Sequence, residues 1–227
     1  MLVDGLIVVS FSIDEWYQKN IGLKPSAVIF NSPIISKSEI IDKFYLRKKF
    51  EITKGQKIFV YSGLFENGRG IDAITQIFTQ PSMLSHIVFL GYGTRAPELK
   101  ELAANNENIH VHDAVPHSMV VPIIQSADFG LCLIENVSLS DYYCLPNKLF
   151  EYLFAGVPVV ASKFPEIERI VNYHGVGICA NPDINSLREA ITKISKKSHN
   201  FKFFKIEKLG WAENEKVLIR FYKKLFT

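Results

Sequence analysis

From about residue 57 onward, short β-rich runs alternate with helical patterns, and few architectures accept that rhythm. The strand candidates are Lys57–Ser62, His86–Gly91, Ile109–His112, Phe129–Leu133, Val157–Ala161 and Gly177–Ala180. Helical patterns begin near Ile71, Arg95, Ser118, Asn147, Pro165 and Ile184. Alternation at this spacing predicts βαβ units and a parallel sheet covered on both faces. Several runs, Val157–Ala161 most clearly, are nearly all apolar, as a strand buried on both faces must be. The expected fold class is α/β, a Rossmann-like doubly wound parallel sheet, occupying residues 51–196.

The flanks do not belong to that sheet. Within residues 1–50, Gly5–Ser10 reads as a strand, Ile13–Lys19 as a short helix, Ala27–Phe30 as a second strand and Glu39–Lys49 as an amphipathic helix. Two strands and a helix cannot bury their own faces, so this segment is expected to be the remnant of another domain plus a linker helix. Strands Leu6–Ser10 and Val28–Phe30 would present unpaired edges, which predicts self-association. Residues 197–227 read as a linker and a closing helix over Trp211–Leu225, with Trp211, Val217, Leu218, Phe221 and Leu225 on its apolar side.

Composition narrows the function classes. The chain has 227 residues, 48% apolar and 22% charged, which is a core-forming balance. A formal charge of +3 is too slight to argue for nucleic acid but does not hinder an anionic ligand. No apolar run has membrane-spanning length, and Cys132, Cys144 and Cys179 lack metal-site spacing, so a reducing cytosol is the expected setting. The basic stretch Lys196–Lys208 invites peripheral contact with the inner face of an anionic membrane, although a solvated linker fits it better.

The segment Leu145–Val160 carries the clearest chemistry. At 100° per residue, Leu149, Phe150, Leu153 and Phe154 form an apolar arc, with Asn147, Lys148 and Glu151 opposite. Pro146 suits the first turn, and Gly156 followed by Pro158 ends the helix. A cation near a helix N-terminus, beside an amide and a carboxylate, suits phosphate and hydroxyl groups. A helix with a merely solvated polar face fits the same residues. Ligands of open parallel sheets sit at the strands' carboxyl ends. There, Ser62–Ile71 offers Gly63, Gly68 and Gly70 with Arg69 at the mouth of the next helix, although a surface turn with one solvated arginine reads equally well. The spacing is neither the dinucleotide fingerprint nor a P-loop. Gly91 and Gly93 form a second glycine turn, the backbone around Val115 could meet a planar base edge, and the long loop from Ile134 to Leu145 holds Glu135, Asp141, Tyr142 and Tyr143. His110 and His112 share one side of a strand but lack a further ligand, so they read as structural. The pattern favours neutralising anionic charge with Arg69 and Lys148, without a metal.

With these motifs in order, the sequence resembles the donor-binding half of a group 1 glycosyltransferase of retaining, GT-B type. The resemblance rests on Ser62-Gly63 with Arg69-Gly70-Ile71-Asp72, Phe89-Leu90-Gly91-Tyr92-Gly93, Ala127–Leu131, Leu145–Tyr152, Ala155–Val160, and Ala161-Ser162 running into Pro165-Glu166-Ile167. It implies a UDP- or GDP-activated sugar as donor, no cofactor, metal-independent chemistry and a glycan or lipid-linked acceptor in surface-polysaccharide synthesis. By the same resemblance Glu151 takes the ribose hydroxyls, and Arg69 and Lys148 take the diphosphate as catalytic cations. The implied donor-binding set is Gly63, Gly91, Gly93, Val115, Glu135, Tyr143, Asn147, Leu149 and Glu151. Two departures stand out: the first glutamate of the family's paired motif falls at Tyr143, and the residue after Gly63 is Leu64. Sugar contacts then fall to Glu135, Asp141 or the tyrosines. Most of the acceptor half is expected to be missing, leaving the chain inactive alone. A nucleotide-sugar epimerase and a non-catalytic nucleotide-binding module with a separate acceptor subunit are the competing readings.

Overall fold

A computed structural model of the chain describes residues 3–23, 27–34, 42–196 and 201–226. Its centre is a six-stranded, wholly parallel sheet of β3 (Ile58–Leu64), β4 (His86–Tyr92), β5 (Ile109–Asp113), β6 (Phe129–Cys132), β7 (Val159–Ser162) and β8 (Gly177–Ala180). The spatial order is β5-β4-β3-β6-β7-β8. In sequence terms that is 3-2-1-4-5-6, the doubly wound order, and the chain reverses direction across the sheet between β3 and β6. All six expected strands are present within two residues of their sequence bounds. Val157 falls outside β7 because its amide N–H donates to Tyr152 O, closing the preceding helix, whose last turn ends on Gly156 at φ 70°.

Helices α3 (Ile71–Phe78), α4 (Ala96–Asn105) and α9 (Ile184–Lys196) cover one face of the sheet. The other face carries α5 (His117–Ile124), α7 (Asn147–Phe154), α8 (Pro165–His174) and the short α2 (Tyr45–Lys49). Alternation along β3 explains both layers: Phe59 and Tyr61 enter one core, Ile58 and Val60 the other. Each face buries an almost purely apolar set, which is the main source of stability.

The N-terminal segment is smaller than its sequence suggests. Strands β1 (Ile7–Val8) and β2 (Ala27–Val28) have two residues each and pair in parallel around α1 (Phe11–Ile21). Ser10, expected at the end of a strand, instead caps α1 by accepting the Ile13 amide N–H, so the helix starts two residues early. Phe30, expected in β2, donates its amide N–H to Asn214 Oδ1 of the closing helix α10 (Trp211–Leu225). A helix was expected over Glu39–Lys49, but residues 39–41 lie outside the described set and the helix begins only at Tyr45. Part of the Lys196–Lys208 stretch, residues 197–200, is likewise outside it. No helix among the described residues is long and apolar enough to cross a membrane.

His86, His110 and His112 are structural. His86 Nδ1 and His110 Nε2 lie 2.9 Å apart with stacked rings, His110 also stacks on Phe50, and His112 Nε2 meets the Tyr45 hydroxyl at 2.8 Å. Among the described residues, no group of three or more His, Cys, Asp or Glu is placed to hold a metal ion. Burial, and secondarily the neighbouring His86, push His110 down to about 4. The unfolded chain therefore binds a proton that the fold refuses, and stability should fall as pH drops from about 6.5 towards 4. Urea midpoints at pH 7 and pH 5 test this; replacing His110 by Phe should flatten the difference.

Candidate donor site at the switch point

The carboxyl ends of β3 and β4, with the loop after β5 and helices α5 and α7, enclose a cleft of about 280 Å³ whose lining includes Ser62, Gly63, Gly91, Val115, His117 and Glu151, with Lys148 and Arg69 outside that lining. Strand pairing explains its glycine floor. Gly63 and Gly91 are register partners at φ 122° and 153°, and a Cβ on Gly91 would stand 1.9 Å from Gly63 O. Only glycine allows that approach.

Helix α7 supplies the charged groups. Glu151 is 9% exposed. Its Oε2 accepts the Ser62 hydroxyl at 3.1 Å, and its Oε1 lies 3.7 Å from His117 Nε2. Burial raises its pKa, opposed by the Ser62 hydrogen bond and by the charges of His117 and Lys148. Tyr152, the next residue, turns into the sheet instead, where its hydroxyl accepts the Ser62 amide N–H at 2.9 Å.

Lys148 is the most unusual group. Its stem is half-buried, while its ammonium is enclosed and has no hydrogen-bond partner. The nitrogen stands 3.7 Å above the Tyr61 ring and 4.0 Å from the position of a Cβ on Gly63. Burial lowers its pKa to about 8; the charge of Arg69 adds to the drop, while Cys132, Glu151 and Cys144 oppose it. Arg69 is near enough for that influence, so the two cations share one end of the sheet. The Arg69 side chain is 40% exposed and 3.8 Å from Asp141 Oδ1, a contact of little energetic weight. The sequence alone also allows a solvated polar face for Lys148 and a surface turn for Arg69. The first fails for Lys148 and Glu151, although it describes Asn147, which is exposed and meets Asn31 at 3.3 Å.

The other sequence candidates divide. Gly63, Gly91, Val115 and Glu151 line the cleft together. Glu135 Oε1 accepts the Gly70 amide N–H at 3.1 Å, and its own amide donates to Gly68 O, so it braces the Arg69 turn. Tyr143 is half-buried, with its carbonyl accepting the Ser10 hydroxyl at 3.1 Å, in a loop that also forms the short helix α6 (Leu139–Tyr142). Gly93 packs under the Phe65 backbone, 2.3 Å from Phe65 O if given a Cβ. The Leu149 side chain is fully buried in the core behind the helix, and its amide donates to Pro146 O. Ser62 appeared in the sequence only as part of a motif, and Tyr61 and His117 gave no signal. The period-2 pattern of β3 separates Tyr61 from Ser62, but no local pattern ties either to α7.

A doubly wound parallel sheet with a cleft at the carboxyl ends of its strands defines a Rossmann-like α/β domain, whose ligands sit at that edge. The family model for group 1 glycosyl transferases matches residues 56–197, more than half of the sequence. The chain belongs to the group 1 glycosyltransferases. No curated protein matches it. Among solved structures, sucrose-phosphate synthase from Thermosynechococcus elongatus is similar at TM-score 0.75 and 16% identity, over 97% of this chain and 58% of that one. WaaG, a glycosyltransferase involved in lipopolysaccharide biosynthesis, gives 0.63 and 16%, over 94% and 57%. Anabaena Alr3699/HepE, solved with UDP and glucose, gives 0.69 and 15%, over 99% and 62%. At such identities these structures establish the GT-B domain fold. The chain spans about three-fifths of their lengths.

Proposed function

We propose that the cleft binds a UDP- or GDP-activated sugar, and that the protein transfers the sugar to a glycan or lipid-linked acceptor in surface-polysaccharide synthesis. One observation carries the reading: an enclosed ammonium with no hydrogen-bonding partner beside a glycine floor. A buried cation without a counter-charge is costly, and a diphosphate entering over Gly63 supplies one. The buried carboxylate of Glu151, held by Ser62, suits a pair of ribose hydroxyls. The backbone at Val115 suits the edge of a base. The Anabaena relative solved with UDP supports the nucleotide class.

The chemistry follows from the leaving group. Cleavage of the sugar–phosphate C–O bond places negative charge on the diphosphate while the sugar becomes oxocarbenium-like. Fixed cations at that diphosphate stabilise the developing charge more than the ground state. Lys148 and Arg69 fill this role without a metal, at the cytoplasmic side of the membrane.

A thermal-shift panel of nucleotides tests the ligand class, since selective stabilisation by UDP, GDP or their sugars is expected. Glu151→Ala should then weaken nucleotide binding roughly ten- to hundredfold, the worth of a charged hydrogen bond. Calorimetry showing equal affinity would remove the ribose role.

A further inference from the structure

The core on the α3 face contains Tyr61, whereas α7 lies on the opposite face. The Lys148 side chain therefore crosses the carboxyl edge of the sheet, where β3 and β6 part, to reach the far side. What it reaches is not an acceptor atom. It is the face of an aromatic ring, 3.7 Å from nitrogen to centroid. The ring is itself fixed: Tyr61 is fully buried, its hydroxyl donates to Leu64 O at 2.8 Å, and its ring packs against Phe65 and Phe89. A desolvated ammonium over a rigid π-face gains far more than an exposed one.

We propose that Tyr61 is a positioning residue: its ring is the temporary counter-charge that holds Lys148 protonated under Gly63, and an entering diphosphate takes the ammonium over. This rests on the donor reading above and adds the device that keeps an unpaired cation loaded before the donor arrives. The other charged or titratable groups that act on Lys148 are Cys132 on β6, Arg69 before α3, Glu151 on α7 and Cys144 after α6. Cys132 and Cys144 have thiol pKa values raised by burial, and Glu151 is engaged by Ser62. None of them forms a hydrogen bond to the Lys148 nitrogen, which instead sits on the ring face at 3.7 Å. Lys148 lies well below the ordinary lysine value, at about 8, so it is partly neutral at mildly alkaline pH. Binding of a polyanion there draws a proton onto it. The balance is simple: Lys148 in the free site releases a proton to solvent as pH rises, and takes one back from solvent when the diphosphate binds.

The test is NMR of the 227-residue chain carrying lysine labelled at Cε, with Lys148→Met identifying the resonance. Without ligand, the Lys148 Cε protons should be shifted upfield by the ring current and titrate near pH 8. Tyr61→Phe keeps the face and should preserve both features. Tyr61→Leu should remove the upfield shift and lower the titration midpoint. Adding UDP or inorganic pyrophosphate should move the Cε protons back downfield. Calorimetry with UDP, whose phosphates are already fully ionised at pH 9, in buffers of different ionisation enthalpy should then show proton uptake at pH 9 and none at pH 6. The proposal is overturned by a wild-type spectrum without the ring-current shift, by an unchanged midpoint in Tyr61→Leu, or by ligand binding that leaves the Lys148 resonance where it was. Absence of binding by either ligand, with the ring-current signature intact, overturns the hand-over and the donor reading together, and leaves the positioning by Tyr61 standing.

Discussion

Lys148→Met should make the chain more stable and the site worse. The sign comes from linkage. Folding carries Lys148 from an ordinary value of 10.5 to about 8, so below pH 8 the fold bears a buried charge that the unfolded chain solvates freely. At 1.36 kcal/mol per unit, that cost is about 3 kcal/mol at pH 7. It fades as pH rises from 8 towards 10.5, where the unfolded chain loses the same proton. Methionine keeps the length and fills the crossing without a charge. In a chain of this size, melting should rise by roughly 6–12 °C at pH 7, and by little at pH 10. Affinity for UDP should drop in the same variant. In an enzyme complete with its acceptor half, turnover at saturating donor should fall about 10²–10³-fold, the usual loss for one transition-state donor. Urea unfolding at the two pH values, with UDP calorimetry, measures both arms. A variant less stable than the parent at pH 7 would mean that the ring and its surroundings more than repay burial of the ammonium, and the idea of a cation kept at a cost to the fold would fail. Opposed signs are the mark of a residue kept for function at the expense of stability.

How much of this could be read from the sequence depends on the range of the interactions. The six strands and their helices are written in local patterns, because a buried parallel strand needs an apolar run wherever its neighbours lie. So is the packed back of α7, where Leu149, Phe150 and Leu153 are all buried. Lys148 and Glu151 were legible as a cation and a carboxylate one turn apart. Their burial was not, since it depends on Tyr61 and Ser62, close to 90 residues earlier in the chain. Tyr152 shows the limit best. On a helical wheel it is one more large residue beside the apolar arc, and nothing local reveals that its hydroxyl enters a sheet. The brevity of β1 and β2 was also hidden: Ser10 and Phe30 each follow a β-branched run, yet a helix cap and the Asn214 side chain claim them.

Tyr152→Phe should cost about 2–3 kcal/mol and loosen the cleft without removing any group that faces it. The reason lies in how β3 meets β6. Those strands register over only two residue pairs, Phe59 with Phe129 and Val60 with Gly130. Beyond them the strands separate to form the switch point, and the backbone groups freed there are too deep for water. The Tyr152 hydroxyl fills the gap: it accepts from Ser62 N at 2.9 Å and lies 3.2 Å from Val60 O and 3.1 Å from Leu131 O. Gly130 makes room for its ring, since a Cβ there would lie 2.6 Å from Tyr152 Cγ. Phenylalanine keeps the ring and orphans the Ser62 N–H, the full penalty of a buried donor. Ser62 also holds Glu151 at 3.1 Å, so a loosened Ser62 releases the carboxylate proposed to hold the ribose. Nucleotide affinity should therefore fall along with stability, and the Ser62 amide, protected in the parent, should exchange with solvent through local opening. Hydrogen exchange at that one amide separates this account from general weakening of the core. Full protection of Ser62 in Tyr152→Phe, alongside an unchanged urea midpoint, would show that the strands close over the gap unaided and that the hydroxyl is dispensable.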